Sequence, residues 1–104
     1  MPRLADRSRR LALVLPATVS GEDLAGRAFT ESTKTLNVSG GGLAFATRRR
    51  LTMGSRLLLE VRLPPRLRRH FGGRDTYRVR GVVCRVAALD EGLAQVGVRF
   101  LGEA

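Results

Sequence analysis

Several residue types are scarce in this chain, and each shortage excludes a class of protein. Cysteine occurs once, at Cys84, which excludes an internal disulfide and a zinc site built from cysteines. No apolar run approaches the length of a membrane span, and no apolar stretch with a cleavage site follows the charged N-terminus. We therefore expect no spanning helix and no secretion, and a reduced, cytoplasmic setting fits this composition best.

Sequence patterns of familiar catalytic sites are also missing. The glycines at 40–42 are not followed by the Lys-Ser/Thr of a phosphate-binding loop, and Ser39 lacks the G-x-S-x-G setting of a hydrolase nucleophile. His70 lies among arginines with no second ligand nearby, so we expect it to be exposed. The nine acidic residues show no catalytic pair by spacing. The sequence predicts neither an enzyme nor a resident cofactor or metal.

Positive charge, in contrast, is abundant. Nineteen Lys and Arg residues stand against nine Asp and Glu, the formal net charge is +10, and Lys34 is the only lysine. Such a surface favours an anionic partner, and arginine suits bidentate contact with phosphates and guanine edges. A general nucleic-acid binder remains an alternative, but nucleic acid is the less expected partner because four Phe and one Tyr offer no stacking platform for single strands.

Alternating apolar and polar residues predict an all-β domain of six short strands. We expect these strands over Leu11–Val19, 27–36, 43–46, Leu57–Leu63, 76–87 with a bulge near Gly81, and 94–100. Turns are expected over 21–26 and 90–92, a helical turn within 64–72, and a core position for Cys84. Six such strands predict a small closed antiparallel barrel of Greek-key type with little or no helix, over 11–104. Residues 1–10, basic and without an apolar stripe, predict a flexible arm.

The stretch Asn37-Val38-Ser39-Gly40-Gly41-Gly42 is the most informative part of the chain. We expect a loop that holds the two small polar side chains while its glycines let a ligand approach the backbone. Taken alone, the stretch is also compatible with an ordinary turn between strands. Together with the arginine-rich arm, it suits a ligand that carries guanine and phosphate.

These segments, in this order, resemble the PilZ domain family. Asn37-x-Ser39-x-x-Gly42 matches the (Asp/Asn)-x-Ser-x-x-Gly motif of that family. Further likeness lies in the first, middle and closing strands, at Arg10–Val19, Leu51–Gly54, Leu57–Pro64, Gly81–Arg85 and Val96–Phe100. The resemblance implies a bacterial β-barrel that binds the second messenger cyclic di-GMP.

The family's second motif, Arg-x-x-x-Arg before the first strand, fits imperfectly. When Arg10 takes the second position, the first falls on Asp6. The exact spacing occurs at Arg3 and Arg7, three residues too early, while Arg7 and Arg10 form an Arg-x-x-Arg pair. We expect Arg7 and Arg10 to grip the guanines, with Arg3 in reserve and Arg9 at a phosphate.

The resemblance predicts a cyclic di-GMP receptor or adaptor that orders its arm on binding and signals to a downstream protein partner. Its expected ligand contacts are Arg3, Arg7, Arg9, Arg10, Asn37, Ser39, Gly41 and Gly42. Either a monomer or a ligand-dependent dimer is compatible with the sequence. The alternative, which Asp6 motivates, is an interaction module of the same fold that does not bind the nucleotide.

Overall fold

The computed structural model describes residues 12–104, and the expected arm, 1–10, lies outside them. It contains six strands, a four-residue helix and a short 3₁₀ turn. The strands are β1 (Pro16–Glu22), β2 (Ala28–Val38), β3 (Gly42–Thr47), β4 (Arg56–Arg62), β5 (Thr76–Ala88) and β6 (Ala94–Glu103). Helix α1 (Pro65–Arg68) and the 3₁₀ turn (Arg69–Phe71) lie between β4 and β5. They confirm the helical turn predicted within 64–72.

The strands close into an antiparallel barrel in the order β1-β2-β3-β6-β5-β4, and the predicted barrel is confirmed. Strand β5 pairs with both β4 and β6, its neighbours in the sequence. Strands β3 and β4 do not pair; the chain crosses one end of the barrel between them, and β3 pairs with β6 instead. This order is a Greek key. Closure leaves few unpaired strand edges, which matters in a domain of this size.

The inward side chains fill the barrel with aliphatic residues and two phenylalanines. Strand β4 shows the alternation most clearly, because Leu57, Leu59 and Val61 are buried while Arg56 and Arg62 are exposed. Burial of this apolar surface is the main favourable term in folding. The core cluster consists of Leu15, Ala17, Val19, Phe29, Leu43, Phe45, Leu51, Leu57, Leu59, Val61, Val79, Val83, Val96 and Val98.

Strand β1 differs from the prediction at both ends. It begins at Pro16, which lacks an N–H and suits the first position of a strand. Residues 12–15 precede the strand, and Leu15 is held instead by the side chain of Thr35. At the other end, Gly21 and Glu22 pair with Phe29 and Ala28, so the turn begins at Asp23.

Strand β5 shifts its register with β6 twice. The shift between Arg80 and Gly81 confirms the predicted bulge, and a second lies between Val83 and Arg85. The predicted core position of Cys84 is wrong, because Val79, Gly81 and Val83 are buried at alternate positions and Cys84 lies on the exposed face. His70 is exposed, as predicted.

Candidate functional site

The turn between β2 and β3 is held by its own serine. The Ser39 N–H donates to the Gly42 carbonyl at 2.8 Å. The Ser39 hydroxyl donates to the same carbonyl and accepts from the Gly41 N–H, each at 3.3 Å. These contacts fix the half-buried hydroxyl at the surface end of the hairpin. A hydroxyl has two acceptor lone pairs, so Ser39 retains capacity for one further donor.

Asn37 lies within β2, opposite Ala44, so the prediction that it belongs to a loop is wrong. The register of β2 with β3 shifts between Thr35, opposite Phe45, and Asn37. Without this bulge, Asn37 would share the inward face with Thr35, two residues before it. Because Ala44 precedes the core residue Phe45, its partner Asn37 stands on the outer face of the barrel.

Two glycines of the turn differ in surroundings. A Cβ on Gly42 would lie 2.1 Å from the Val98 carbonyl oxygen, so the close approach of β6 requires glycine there. The expected ligand approach to the backbone stays a prediction at this position. Gly41 is exposed, and a Cβ there would meet nothing within 4 Å. Its carbonyl accepts from the Phe100 N–H at 2.8 Å, which ties the turn to β6.

The predicted ligand arginines Arg3, Arg7, Arg9 and Arg10 lie outside the described residues. The point where the chain enters the described part is nevertheless fixed near the turn. Leu13 accepts from the Thr35 hydroxyl at 2.6 Å, and Leu13 and Ser39 line the same cleft. The first described residues therefore lie at the end of the barrel that carries Ser39.

One cross-strand row on the outer face brings together residues that sequence analysis did not connect. We call it the outer row: Asn37 on β2 opposite Ala44 on β3, Ala44 opposite Gly97 on β6, and Gly97 opposite Arg85 on β5. At the usual strand spacing, the row is about 14 Å wide. The two residues in its middle, Ala44 and Gly97, are small and buried, and polar side chains stand at its two ends.

Arg85 crosses the outer row above Gly97. A Cβ on Gly97 would lie 3.3 Å from Arg85 Cβ, 3.7 Å from its Nε and 3.9 Å from its Nη2. Glycine thus lets the arginine side chain lie close to the sheet. The exposed Arg99 stands two residues beyond Gly97 on β6, directly opposite Gly42. The sequence predicts that Arg99 faces outward, but the strand register that brings it to the turn is absent from the sequence.

These arginines form a positive surface around the turn. Within residues 12–104, ion pairs engage Arg27, Arg49, Arg74 and Arg78 but neither Arg85 nor Arg99. No acidic residue lies between Lys34 and Thr47 or between Gly92 and Gly102. The site therefore combines amide, hydroxyl and guanidinium groups, which together bind phosphates and purine edges without doing acid–base chemistry.

An apolar cleft of about 480 Å³, here called the end cleft, opens on the other side of the turn. Ser39 and Gly40 form part of its wall. Its remaining lining is apolar or aromatic apart from His70: Leu13, Leu15, Val38, Leu43, Val61, Leu63, Leu67, Phe71, Tyr77 and Phe100. Burial raises the pKa of the Tyr77 phenol, so the phenol is neutral at physiological pH and remains a hydrogen-bond donor.

Two negative findings apply to residues 12–104. No group of three His, Cys, Asp or Glu side chains in this part could hold a metal ion. No helix in the same range has the length and apolar character needed to cross a membrane.

Comparison with known proteins connects this geometry with a family. The model of the PilZ domain matches residues 4–103. The solved structure of the Bacillus subtilis inhibitor of motility (MotI/DgrA) aligns with a TM-score of 0.67 and 20% identity over 91% of this chain, which spans only 42% of that protein. The PilZ domain of CeSA from a cellulose-synthesizing bacterium aligns with a TM-score of 0.56 and 17% identity, covering 88% and 80% of the two chains. A sequence search of curated proteins finds no match.

At these identities the two solved structures support the fold alone, and the family model supports the assignment. Its match covers nearly the whole chain, and the Asn37-x-Ser39-x-x-Gly42 turn stands at the surface of a barrel with the expected strands. Members of this family generally act as receptors or adaptors connected with cyclic di-GMP, and they are not generally enzymes. This chain belongs to the PilZ domain family.

Proposed function

We propose that the domain is a cyclic di-GMP receptor that orders its N-terminal arm on binding and thereby signals to a protein partner. The observation that carries the proposal is the outer row. It places Asn37 and Arg85 on one face beside the Ser39 turn, at the barrel end where the first described residues lie. Family membership supplies the ligand class.

The outer row suits a flat, anionic ligand. Guanine presents O6 and N7 to a guanidinium fork, and its ring can stack on a guanidinium plane. Arg85 and Arg99 supply such groups on the barrel itself. Asn37 accepts from a guanine N–H, and Ser39 accepts from a base N–H with its remaining lone pair, or donates to a phosphate when its hydroxyl turns from the Gly42 carbonyl. Gly41, open above the turn, lets the ligand approach the backbone, and Gly42 keeps β3 close to β6.

In this proposal, arginines of the arm supply the remaining contacts to the ligand on the outer row. Arg10 lies three residues before Leu13 and Arg7 six, so extended chain carries their Cα atoms up to about 10 Å and 20 Å from that point. Both distances allow contact with a ligand on the outer row. Arg9 is assigned to a phosphate and Arg3 to a reserve position. Asp6 stands where the family motif has arginine, which reduces the expected affinity.

Binding would close the arm over the nucleotide and create a surface for the partner. Such a switch requires that the ligand bind the closed arrangement more tightly than the open one. The proposal places this switch in the cytoplasm, where an exposed Cys84 stays reduced. Closure over one nucleotide gives a monomer, and two copies sharing an intercalated pair give a ligand-dependent dimer.

Asp6 favours one alternative, a PilZ-type interaction module that does not bind the nucleotide. Calorimetric titration with cyclic di-GMP separates the two functions. The receptor predicts saturable heat, and Ser39→Ala should remove most of it while Arg50→Ala, at the opposite end of the barrel, should not. Absence of heat at high micromolar nucleotide would exclude the receptor and leave the interaction module.

A further inference from the structure

The end cleft reaches the core of the barrel. Its floor is formed by Leu15, Leu43, Val61 and Leu63, each less than 10% exposed. A cleft of this volume, with mostly apolar walls and a few polar groups at its edge, has the character of a small-molecule site. The nucleotide site described above does not use this apolar floor.

One wall of the cleft is aromatic. The rings of Phe71 and Tyr77 lie 4.9 Å apart, and those of Tyr77 and Phe100 lie 6.0 Å apart, edge to face. Leu67 of α1 closes the side next to Phe71. Hydrogen-bonding groups are confined to Ser39, Gly40, His70 and Tyr77. A peptide backbone would leave most of its N–H and C=O groups unpaired against these walls, whereas a chain of methylenes needs no such partner.

The rim of the cleft is positively charged. Residues 64–74 contain four arginines and no acidic residue. Arg66 and His70 stand four residues apart on the helical segment, an interval that brings side chains to the same face, and His70 lines the cleft. Arg66 also lines a shallow recess that shares Leu15 and Leu63 with the cleft. Neither Arg66 nor Arg69 is ion-paired within residues 12–104.

We propose that the end cleft binds an amphiphilic anion, with an aliphatic chain of about ten carbons in the apolar floor and a carboxylate or phosphate head at Arg66. Charge complementarity selects the anionic head, and the shortage of hydrogen-bonding groups in the walls selects an acyl chain over a peptide. The acyl chain and the nucleotide occupy different places, because the apolar floor and the outer row lie on different sides of the Ser39 turn, and Ser39 borders both.

The chain carries its own reporter for this site. Tyr77 is the only tyrosine and there is no tryptophan, so intrinsic fluorescence comes from the cleft wall. Titration with sodium decanoate, in the absence of nucleotide, should change this fluorescence saturably. Affinity should rise about three- to fourfold for each methylene from hexanoate to decanoate. No change with decanoate, or equal affinity for hexanoate, would overturn the proposal.

Charge-reversal variants test the head group without disturbing the core. The variant Arg66→Glu should bind decanoate at least tenfold more weakly. Arg50→Glu, an equal charge change at the opposite end of the barrel, should leave the affinity within twofold. Equal losses in both variants would reduce the effect to net charge and overturn the assigned rim. Decanol, with the same tail and no charge, should bind at least tenfold more weakly than decanoate.

A cleft-filling variant tests the tail. Val38→Phe adds volume to the cleft wall and should weaken decanoate binding at least tenfold, provided that circular dichroism shows an intact barrel. Vesicles of phosphatidylglycerol distinguish the source of the chain. A fluorescence change with decanoate alone identifies a free acyl anion, and a change with vesicles as well identifies a lipid surface. Saturable binding of an acidic peptide but not of decanoate would replace the proposal with a protein partner.

Discussion

The buried hydroxyl of Thr35 on β2 donates to the carbonyl of Leu13 at 2.6 Å and accepts from the N–H of Leu15 at 2.9 Å. The Thr35 N–H also donates to the Leu15 carbonyl at 2.9 Å. One fully buried threonine therefore fastens the segment before β1 to the strand that carries Asn37. This link fixes the position of residues 13–15.

Replacing Thr35 with valine should loosen this link with little change of volume. The Leu15 N–H loses its partner in a buried environment, which costs about 1–3 kcal/mol in the free energy of unfolding. Urea denaturation measures the change, and Thr30→Val, at an exposed threonine that bonds only Ser20, is the matched control. Nucleotide affinity should fall as well, because the origin of the arm is no longer fixed. Equal stability of the two variants would show that Thr35 has no such role.

Gly42→Ala and Gly41→Ala form a second matched pair. The added methyl collides with the Val98 carbonyl in the first and meets open space in the second. We expect Gly42→Ala to lower the free energy of unfolding by about 3 kcal/mol, and Gly41→Ala to change it by no more than about 0.5 kcal/mol. Thermal denaturation reports both. A stable Gly42→Ala protein would contradict the close approach of β6.

Arg85→Ala and Arg99→Ala test the arginines on the barrel. Each should weaken cyclic di-GMP binding by about 1–3 kcal/mol, or roughly 5- to 150-fold, without loss of stability. Arg50→Ala is the control for net charge. Calorimetry gives the affinities, and unchanged affinity in both variants would restrict the site to the arm and the turn.

Asp6→Arg restores the family's arginine spacing before Arg10. If the arm closes over the nucleotide, the added guanidinium should increase affinity about tenfold or more. The same titration compares this variant with Ser8→Arg, which adds an equal charge out of register. An equal gain in both would indicate general attraction. Binding only after Asp6→Arg would favour the interaction module as the function of the natural sequence.

The raised pKa of Tyr77 predicts how the stability of the protein changes at alkaline pH. Burial favours the neutral phenol in the folded state, and Glu103 acts in the same direction. The stabilising contribution is therefore complete below the unfolded-state pKa of 10 and is lost as pH rises through the folded-state value. Urea midpoints measured from pH 9 to 11 should fall less in Tyr77→Phe than in the natural protein. Parallel curves would contradict the burial of the phenol.

Sequence patterns predict the barrel well, because strand alternation alone reports which faces are buried. Leu57, Leu59 and Val61 are an example, and so is the bulge at Gly81. Local patterns do not report which strands meet or where a register slips. For that reason the outward turn of Asn37 and the approach of Arg85 to Gly97 were not predicted.

The motif at Asn37–Gly42 was found from the sequence. The structural roles of its residues became visible only in the structure. Ser39 holds the turn, and Gly42 admits β6. Both roles depend on strands distant in the chain.

The central claim, closure of the arm onto the face beside Ser39, is tested most directly by a distance measurement. Spin labels at Ser8→Cys in the arm and Ser32→Cys on the exposed side of β2, in a Cys84→Ser background, report the separation by double electron–electron resonance. We predict a broad distribution that narrows to one short distance when cyclic di-GMP is added. An unchanged distribution at saturating nucleotide would contradict the claim.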